Sequence, residues 1–344
     1  MDPQPAYTVH EADLERDREL IVGLWRGNLG EDARMARKYD WFYRQCPYGA
    51  PLTLLLRHEA SGEWVGVASA GPRQMVFGGR RVSAGVLVDL AVLPAHRSLG
   101  PALTLQTALM EAGAKRFDLL YGFPNPKAAA VFRRVGYAPL GELSRHARVL
   151  RHGDHAHRLR VPALLAAPAG WALDAIDRLR LRARGNRLQG QWQVRADESL
   201  AALWSSPGAG DGPVAARDLD FLRWRFDQSP LAGTRYLVVR DRDGGLHAWF
   251  ACETREHGLH VLDFRSRRGA DGPSRTAVAI LLRSARADGH ASVSVELSAA
   301  AATGAWPALG FLAREARPVF GRWSGTQEEA LEMRLWLTSA DEDE

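Results

Sequence analysis

Lysine is almost missing from this chain. Of its 45 basic residues only Lys38, Lys115 and Lys127 are lysines, so arginine supplies nearly all the positive charge behind the net +5. Those arginines are interleaved with 40 acidic residues rather than gathered in one block, which argues against a nucleic-acid footprint. The densest basic stretch, RLRLRARGNR at 178–187, reads as the solvated face of a connecting helix. Cysteine is scarce too. Cys46 and Cys252 lie far apart, which excludes a disulfide scaffold and points to a reducing compartment. Long apolar runs are also lacking: the longest, VPALLAAPAGWALDAI at 161–176, contains two prolines and Asp174 and falls short of the ~20 residues that span a bilayer. The N-terminal stretch MDPQPAYTVHEADLERD is acidic, has no apolar centre and is no signal peptide. A cytoplasmic protein with no membrane partner is the expectation.

What is present is an ordinary globular composition, 46% hydrophobic and 25% charged, over 344 residues, enough for two domains. The sequence repeats itself. WFYRQCP at 41–47 returns as WRFDQSP at 224–230, a shift of 183 residues, which also places LLLR (54–57) on LVVR (237–240) and Gly62 on Gly245. Further on the shift becomes 174, as if nine residues were missing from the second copy between strands. LVDLAV (87–92) then meets VLDFRS (261–266), pairing Asp89 with Asp263, and FRRVGY (132–137) meets WPALGF (306–311). A unit of about 145 residues therefore occurs twice: residues 1–150, a connector at 151–190, and residues 191–344.

Within each copy the pattern is mixed α/β. In the first, a short strand near YTVHEA precedes helical patterning through LERDRELIVGLW and ARMARKYDWFYRQ. Strands follow at about 52–58, 64–70, 75–82 and 86–92, with a hairpin turn at Ser61-Gly62. A helix at about 100–115, the strand FDLLYGF, a helix from Pro126 to Val135 and a last strand complete the unit. In the connector, His152, His155 and His157 lack an accompanying ligand set of known spacing and read as solvated linker; no metal is expected. TSADEDE reads as a frayed acidic tail.

The stretch PAHRSLGPALTLQ at 94–106 carries the chemistry. A strand ending at Pro94 and a helix opening near Gly100 point free backbone N–H groups and the positive end of a helix dipole at one spot, which suits a pyrophosphate. The other reading is a plain strand-to-helix turn with Pro101 in the first turn. The order of elements weighs on the choice. A β-meander, an Arg-x-x-Gly-x-Ala loop into a helix, then FDLLYGFPN, a short helix and FRRVGY resembles the GCN5-related N-acetyltransferase (GNAT) superfamily over most of residues 5–150, and the repeat extends the fold to about 190–340. The resemblance implies an α/β (α+β) protein of two tandem GNAT folds, each a mixed, mostly antiparallel sheet flanked by helices, with a degenerate C-terminal copy.

It also implies acetyl-CoA as cosubstrate, an amine acceptor, and direct acyl transfer in a ternary complex. Carried over by position, Val92, Arg97, Ser98, Leu99, Gly100 and Ala102 would contact acetyl-CoA. Asn125 would face the pantetheine arm or serve as a turn residue before Pro126. Two departures stand out: Pro101 has no N–H, and Phe132 replaces the family's frequent tyrosine acid, leaving Tyr121, Tyr137 or water to protonate the thiolate. Asp89, within an apolar strand, is either the base that takes the ammonium proton or a structural residue shared with Asp263. Asp40, Trp41 and Tyr43 fall where the family shapes its acceptor site, although Trp41 recurring as Trp224 and Tyr43 as Phe226 also fits packing. In the second copy Asp271 stands at the Arg97 position and Ser274 at the Gly100 position, so that copy is not expected to bind CoA and would wall the acceptor pocket. Two alternatives remain open: an aminoacyl or peptidyl transferase using aminoacyl-tRNA on the same doubled fold, and a non-catalytic binding module. A monomer or a homodimer fits equally.

Overall fold

The last strands of the two copies are exchanged. In the computed structural model, which describes residues 6–152, 163–183, 187–204, 212–231, 233–302, 304–325 and 334–343, the first copy runs β1 (Tyr7–Glu11), α1 (Arg18–Trp25), α2 (Asp32–Lys38), β2 (Leu52–His58), β3 (Glu63–Phe77), β4 (Arg80–Val92), α3 (Leu99–Gly113), β5 (Leu119–Gly122), α4 (Pro126–Val135) and β6 (Ala138–Val149). Helix α5 (Ala163–Ala183) connects the halves. The second copy runs β7 (Leu188–Gln193), α6 (Glu198–Ala202), β8 (Val214–Ala215), α7 (Leu219–Leu222), β9 (Arg235–Asp241), β10 (Leu246–Arg255), β11 (Gly258–Ser266), α8 (Arg275–Ala287), β12 (Ser292–Ser298), α9 (Ala305–Ala308) and β13 (Leu312–Trp323). All thirteen strands join in one sheet of order β1-β2-β3-β4-β5-β13-β6-β12-β11-β10-β9-β7, with β8 on β3. Thus β13 completes the first copy beside β5, and β6 completes the second beside β12. Only β4–β5 and β11–β12 pair in parallel; the other strand pairs are antiparallel. Gly321 makes the exchange possible at close quarters, because a Cβ there would meet the Leu120 carbonyl at 2.3 Å.

A pseudo-two-fold axis passes between the two tryptophans of the repeat. Trp41 Nε1 donates to the Trp224 carbonyl at 2.7 Å and Trp224 Nε1 to the Trp41 carbonyl at 3.2 Å, with the rings stacked 5.0 Å apart. Each tryptophan sits in a single π-helical turn, Tyr39–Tyr43 or Arg223–Asp227, that ends its helix. The apolar cluster around them runs through both copies, while separate clusters lie under α3 and under α8.

Two expectations change, and the nine missing residues are located. The strands expected at 64–70, 75–82 and 86–92 are one continuous hairpin, β3 to β4, turning at Gly78-Gly79. The nine residues absent from the second copy are the tip of that hairpin: β3 and β4 have 15 and 13 residues against 10 and 9 in β10 and β11. The added length reaches across to pair Met75 with Ala215. The second change is that the C-terminal acidic segment is not frayed. Residues 334–343 turn back into the middle of the molecule, where Leu337, Thr338, Ala340 and Asp341 are fully buried. Buried cations make this tolerable, since an isolated charge would not stay there. Asp341 accepts from Arg217 at 2.8 Å, the Glu342 carbonyl from Arg73 at 3.2 Å, and the Ala340 carbonyl from Arg225 at 3.1 Å.

Candidate acyl-CoA site and acceptor cavity

Strands β4 and β5 run side by side from Ala84↔Leu119 to Leu87↔Gly122 and then part. The cause is local. Asp89 has a left-handed φ of 54°, and the register against β3 slips between Ser69↔Val88 and Val67↔Ala91, so β4 bulges and turns away. From Val88 to Val92 its edge toward β5 is unpaired, a wedge whose mouth leads to Pro94–His96 and the start of α3.

That helix start is uncapped, as are those of α1 and α2, but it alone follows the unpaired edge of β4. Ser98 precedes α3 with extended backbone but makes no side-chain cap, and Leu99, whose side chain lies outside the described residues, opens the helix. The first-turn N–H groups therefore have no side-chain acceptor, and Pro101 brings none of its own. Gly100 is exposed, and a Cβ there would meet nothing within 4 Å. Packing within the chain thus gives no reason for glycine at this position. Ala102 is half-buried in the same turn. Arg97 reaches back, donating to the Val92 carbonyl at 3.2 Å and to Asn28, which ties the loop to the end of β4.

On the sheet face covered by α1 and α2, Asp89 is buried in an ion cluster. Lys38 Nζ bonds Asp89 Oδ1 at 2.7 Å and also Asp343, while the Tyr43 hydroxyl donates to Asp89 Oδ2 at 2.7 Å and lies in hydrogen-bond contact with the Ser69 hydroxyl at 2.9 Å. Burial pushes the Asp89 carboxyl above its ordinary range; burial and the neighbouring Asp89 push the Tyr43 phenol well up. The two carboxylates outweigh burial at Lys38, which stays an ammonium. Asp263 is held the same way, by Arg217 and by the Thr338 hydroxyl at 3.0 Å.

The other sequence candidates scatter. Tyr121 is buried with its hydroxyl donating to the Asp341 carbonyl at 2.9 Å, and burial raises its phenol. Tyr137 lies on the opposite sheet face beside Phe132, ring centroids 5.0 Å apart, its buried hydroxyl without a partner. Asn125 caps α4, its side-chain oxygen accepting from Lys127 N at 3.1 Å and Ala128 N at 3.0 Å. Asp40 is half exposed and paired with Arg18 at 3.0 Å. Trp41 is committed to the pseudo-two-fold contact. Asp40 thus lies at the surface, while Trp41 and Tyr43 are buried.

A cavity of about 440 Å³ lies between α2 and the second copy, lined among others by Arg34 of α2, Arg225, Arg255, Glu253, Arg317 and Glu342. Arg317 links it to the first copy, with its guanidinium 5.9 Å from the centre of the Phe123 ring that follows β5. Burial pushes the Glu342 carboxyl up to about 7, against the pull of Arg317.

Residues 18–137, which hold the wedge and the α3 start, match the model of the Acetyltransferase (GNAT) family. The first copy is a GNAT domain. The whole chain shares its fold with solved structures at low identity. A probable N-acyltransferase from Enterococcus faecalis has a TM-score of 0.64 at 12% identity, covering 93% of this chain and 73% of that one. A GCN5-related N-acetyltransferase from Anabaena variabilis has 0.60 at 13%, covering 93% and 73%. An N-myristoyltransferase of Saccharomyces cerevisiae with bound myristoyl-CoA has 0.53 at 12%, covering 98% and 87%. Comparison with curated protein sequences finds no match.

Sequence reasoning missed Lys38, Arg217 and the tail carboxylates around the GNAT domain's Asp89 and its counterpart. The scarcity of lysine in an arginine-rich chain was the available signal at Lys38. Among the described residues no three His, Cys, Asp or Glu side chains are placed to hold a metal, and no helix is long and apolar enough to cross a membrane. His152 pairs with Asp174 at 2.8 Å, while His155 and His157 lie outside the described residues.

Proposed function

We propose that this protein is an N-acyltransferase that moves an acetyl group from acetyl-CoA to an amine, with residues 1–150 binding acetyl-CoA, 151–190 connecting, and 191–344 walling the acceptor cavity. The observation that carries the reading is the uncapped start of α3 with Gly100 open to solvent, directly after the unpaired edge of β4. These residues fit the cosubstrate: the Leu99 and Gly100 N–H groups and the helix dipole suit a pyrophosphate, Arg97 adds charge beside it, and Val92 ends the edge along which an extended pantetheine arm would lie. When bound, acetyl-CoA supplies an activated thioester.

The chain's own part is positioning. Backbone groups from Val88 to Val92 orient the acyl carbonyl, and N–H groups of that edge stabilise charge developing on its oxygen. The cavity beside Arg317 and Glu342 brings the amine to the wedge from the second copy's side. An ammonium must lose its proton before attack. Asp89 keeps the proton-acceptor role only if Lys38 lets it go; Glu342, at about 7, is better tuned near neutral pH. Of the two phenols Tyr137 has the unengaged hydroxyl, whereas the Tyr121 hydroxyl is held by the tail.

The test is a calorimetric titration of acetyl-CoA into the wild type and into Gly100→Glu. Binding of one equivalent, lost in the variant, supports the reading. No binding at millimolar acetyl-CoA would overturn it in favour of a transferase using aminoacyl-tRNA or a binding module.

A further inference from the structure

Helix α5 is the part of the molecule that acyl transfer leaves unused. Among the described residues six large apolar side chains are exposed, and four of them stand on this helix: Trp171 (73%), Leu173 (49%), Ile176 (46%) and Leu179 (66%). Its other side is anchored. Leu181 is buried, Asp174 accepts from the His152 backbone at 3.1 Å, and Asp177 pairs with Arg148 and, at 3.0 Å, with Arg286 of α8. The helical repeat puts Asp174, Asp177 and Leu181 on one side and Ile176 and Leu179 on the opposite one. Both acids of α5 are thus turned inward; Trp171 lies on the flank of Arg178 and Arg182 with Leu179 next to it, and Leu173 lies on the other flank beside Arg180.

The flank with Arg178 and Arg182 borders a cleft. These two arginines line a space of about 310 Å³ together with Leu181, Ala287, Arg283 and Arg286. Arg286 is matched by Asp177. Among the described residues Arg178, Arg182 and Arg283 have no carboxylate partner. Guanidinium groups gathered in this way suit phosphate oxygens, which they bind in bidentate fashion. A free phosphate would satisfy the arginines but leave the apolar stripe in water, and nucleic acid offers no apolar layer either. An anionic bilayer offers phosphates above an apolar layer.

We propose that α5 docks this protein on an anionic lipid surface, with Trp171 and Leu179 entering the headgroup boundary and Arg178, Arg182 and Arg283 holding lipid phosphates. The helix would lie in the plane of the membrane, in keeping with the absence of a spanning helix among the described residues.

The experiment is co-sedimentation of the full chain with vesicles of phosphatidylcholine, with and without phosphatidylglycerol. Binding is expected only with phosphatidylglycerol, and raised salt should weaken it. The double variants Arg178→Glu/Arg182→Glu and Trp171→Ser/Leu179→Ser should each weaken it by ~10-fold or more. All four positions are exposed, so circular-dichroism melting curves should match the wild type. Failure to bind anionic vesicles, equal binding to phosphatidylcholine alone, or unchanged binding by both variants would overturn the proposal. So would a concentration-dependent dimer in sedimentation velocity that Trp171→Ser/Leu179→Ser abolishes, because the stripe would then belong to a second copy of this chain.

Discussion

In the second copy Ser274, the counterpart of Gly100, accepts a hydrogen bond from Ala277 N at 3.1 Å and closes the start of α8. In the first copy the start of α3 has no such cap, and the position is a glycine open to solvent. The same strand-to-helix junction is therefore finished internally in one copy and left for an external partner in the other. The buried aspartates make the complementary point. Asp89 and Asp263 are both neutralised by a buried cation, yet the cations, Lys38 and Arg217, come from non-equivalent positions. What the copies share is the requirement of the fold, and what separates them is where the first copy stays unsatisfied.

The largest effect that sharpens this contrast is on binding. Gly100→Glu should weaken acetyl-CoA by ~100-fold or more, whereas Ser274→Glu should leave the affinity within about a factor of two, both read by calorimetry. Equal losses would end the distinction between the copies. Next come the buried cations. Lys38→Met leaves Asp89 and Asp343 without a partner and should cost about 3–5 kcal/mol of unfolding free energy, as should Arg217→Met for Asp263 and Asp341, measured by urea denaturation.

A pH effect follows in the cavity of the second copy. Glu342 holds its proton more tightly folded, at about 7, than an ordinary glutamate does unfolded. Between those two values the native state binds more protons, so stability from this group is full below the unfolded value and falls as pH rises toward 7, by up to about 3 kcal/mol. His260, pushed down to about 3 by burial, contributes the opposite slope. Glu342→Gln should therefore remove the falling component and leave the rising one in chemical denaturation across that range. The smallest effect is Ser274→Ala, expected to cost about 1 kcal/mol as the loss of one cap.

The repeat was legible because Trp41 and Trp224 make a symmetric contact, and such a contact keeps the same residues in both copies. The α3 loop was legible because its chemistry is local. The Lys38 cluster was not, since Asp343 lies 305 residues away and no periodicity links them. Nor was the buried tail, because an acidic run reads as solvated unless its arginines are known to surround it. The strand exchange was equally hidden: β6 and β13 have the same length and place in each copy, and sequence pattern cannot say which neighbour each one chooses.

That exchange has a consequence for synthesis. Leu119 to Gly122 of β5 pair with Trp323 to Phe320, strand residues made about 200 positions later. While the chain is still emerging from the ribosome, the first copy can assemble its sheet only as far as β5 and must wait with that edge bare. The nascent N-terminal half is thus an unfinished template for pairing, and cutting the gene between the copies would yield two fragments that each lack a central strand and complete themselves only by meeting.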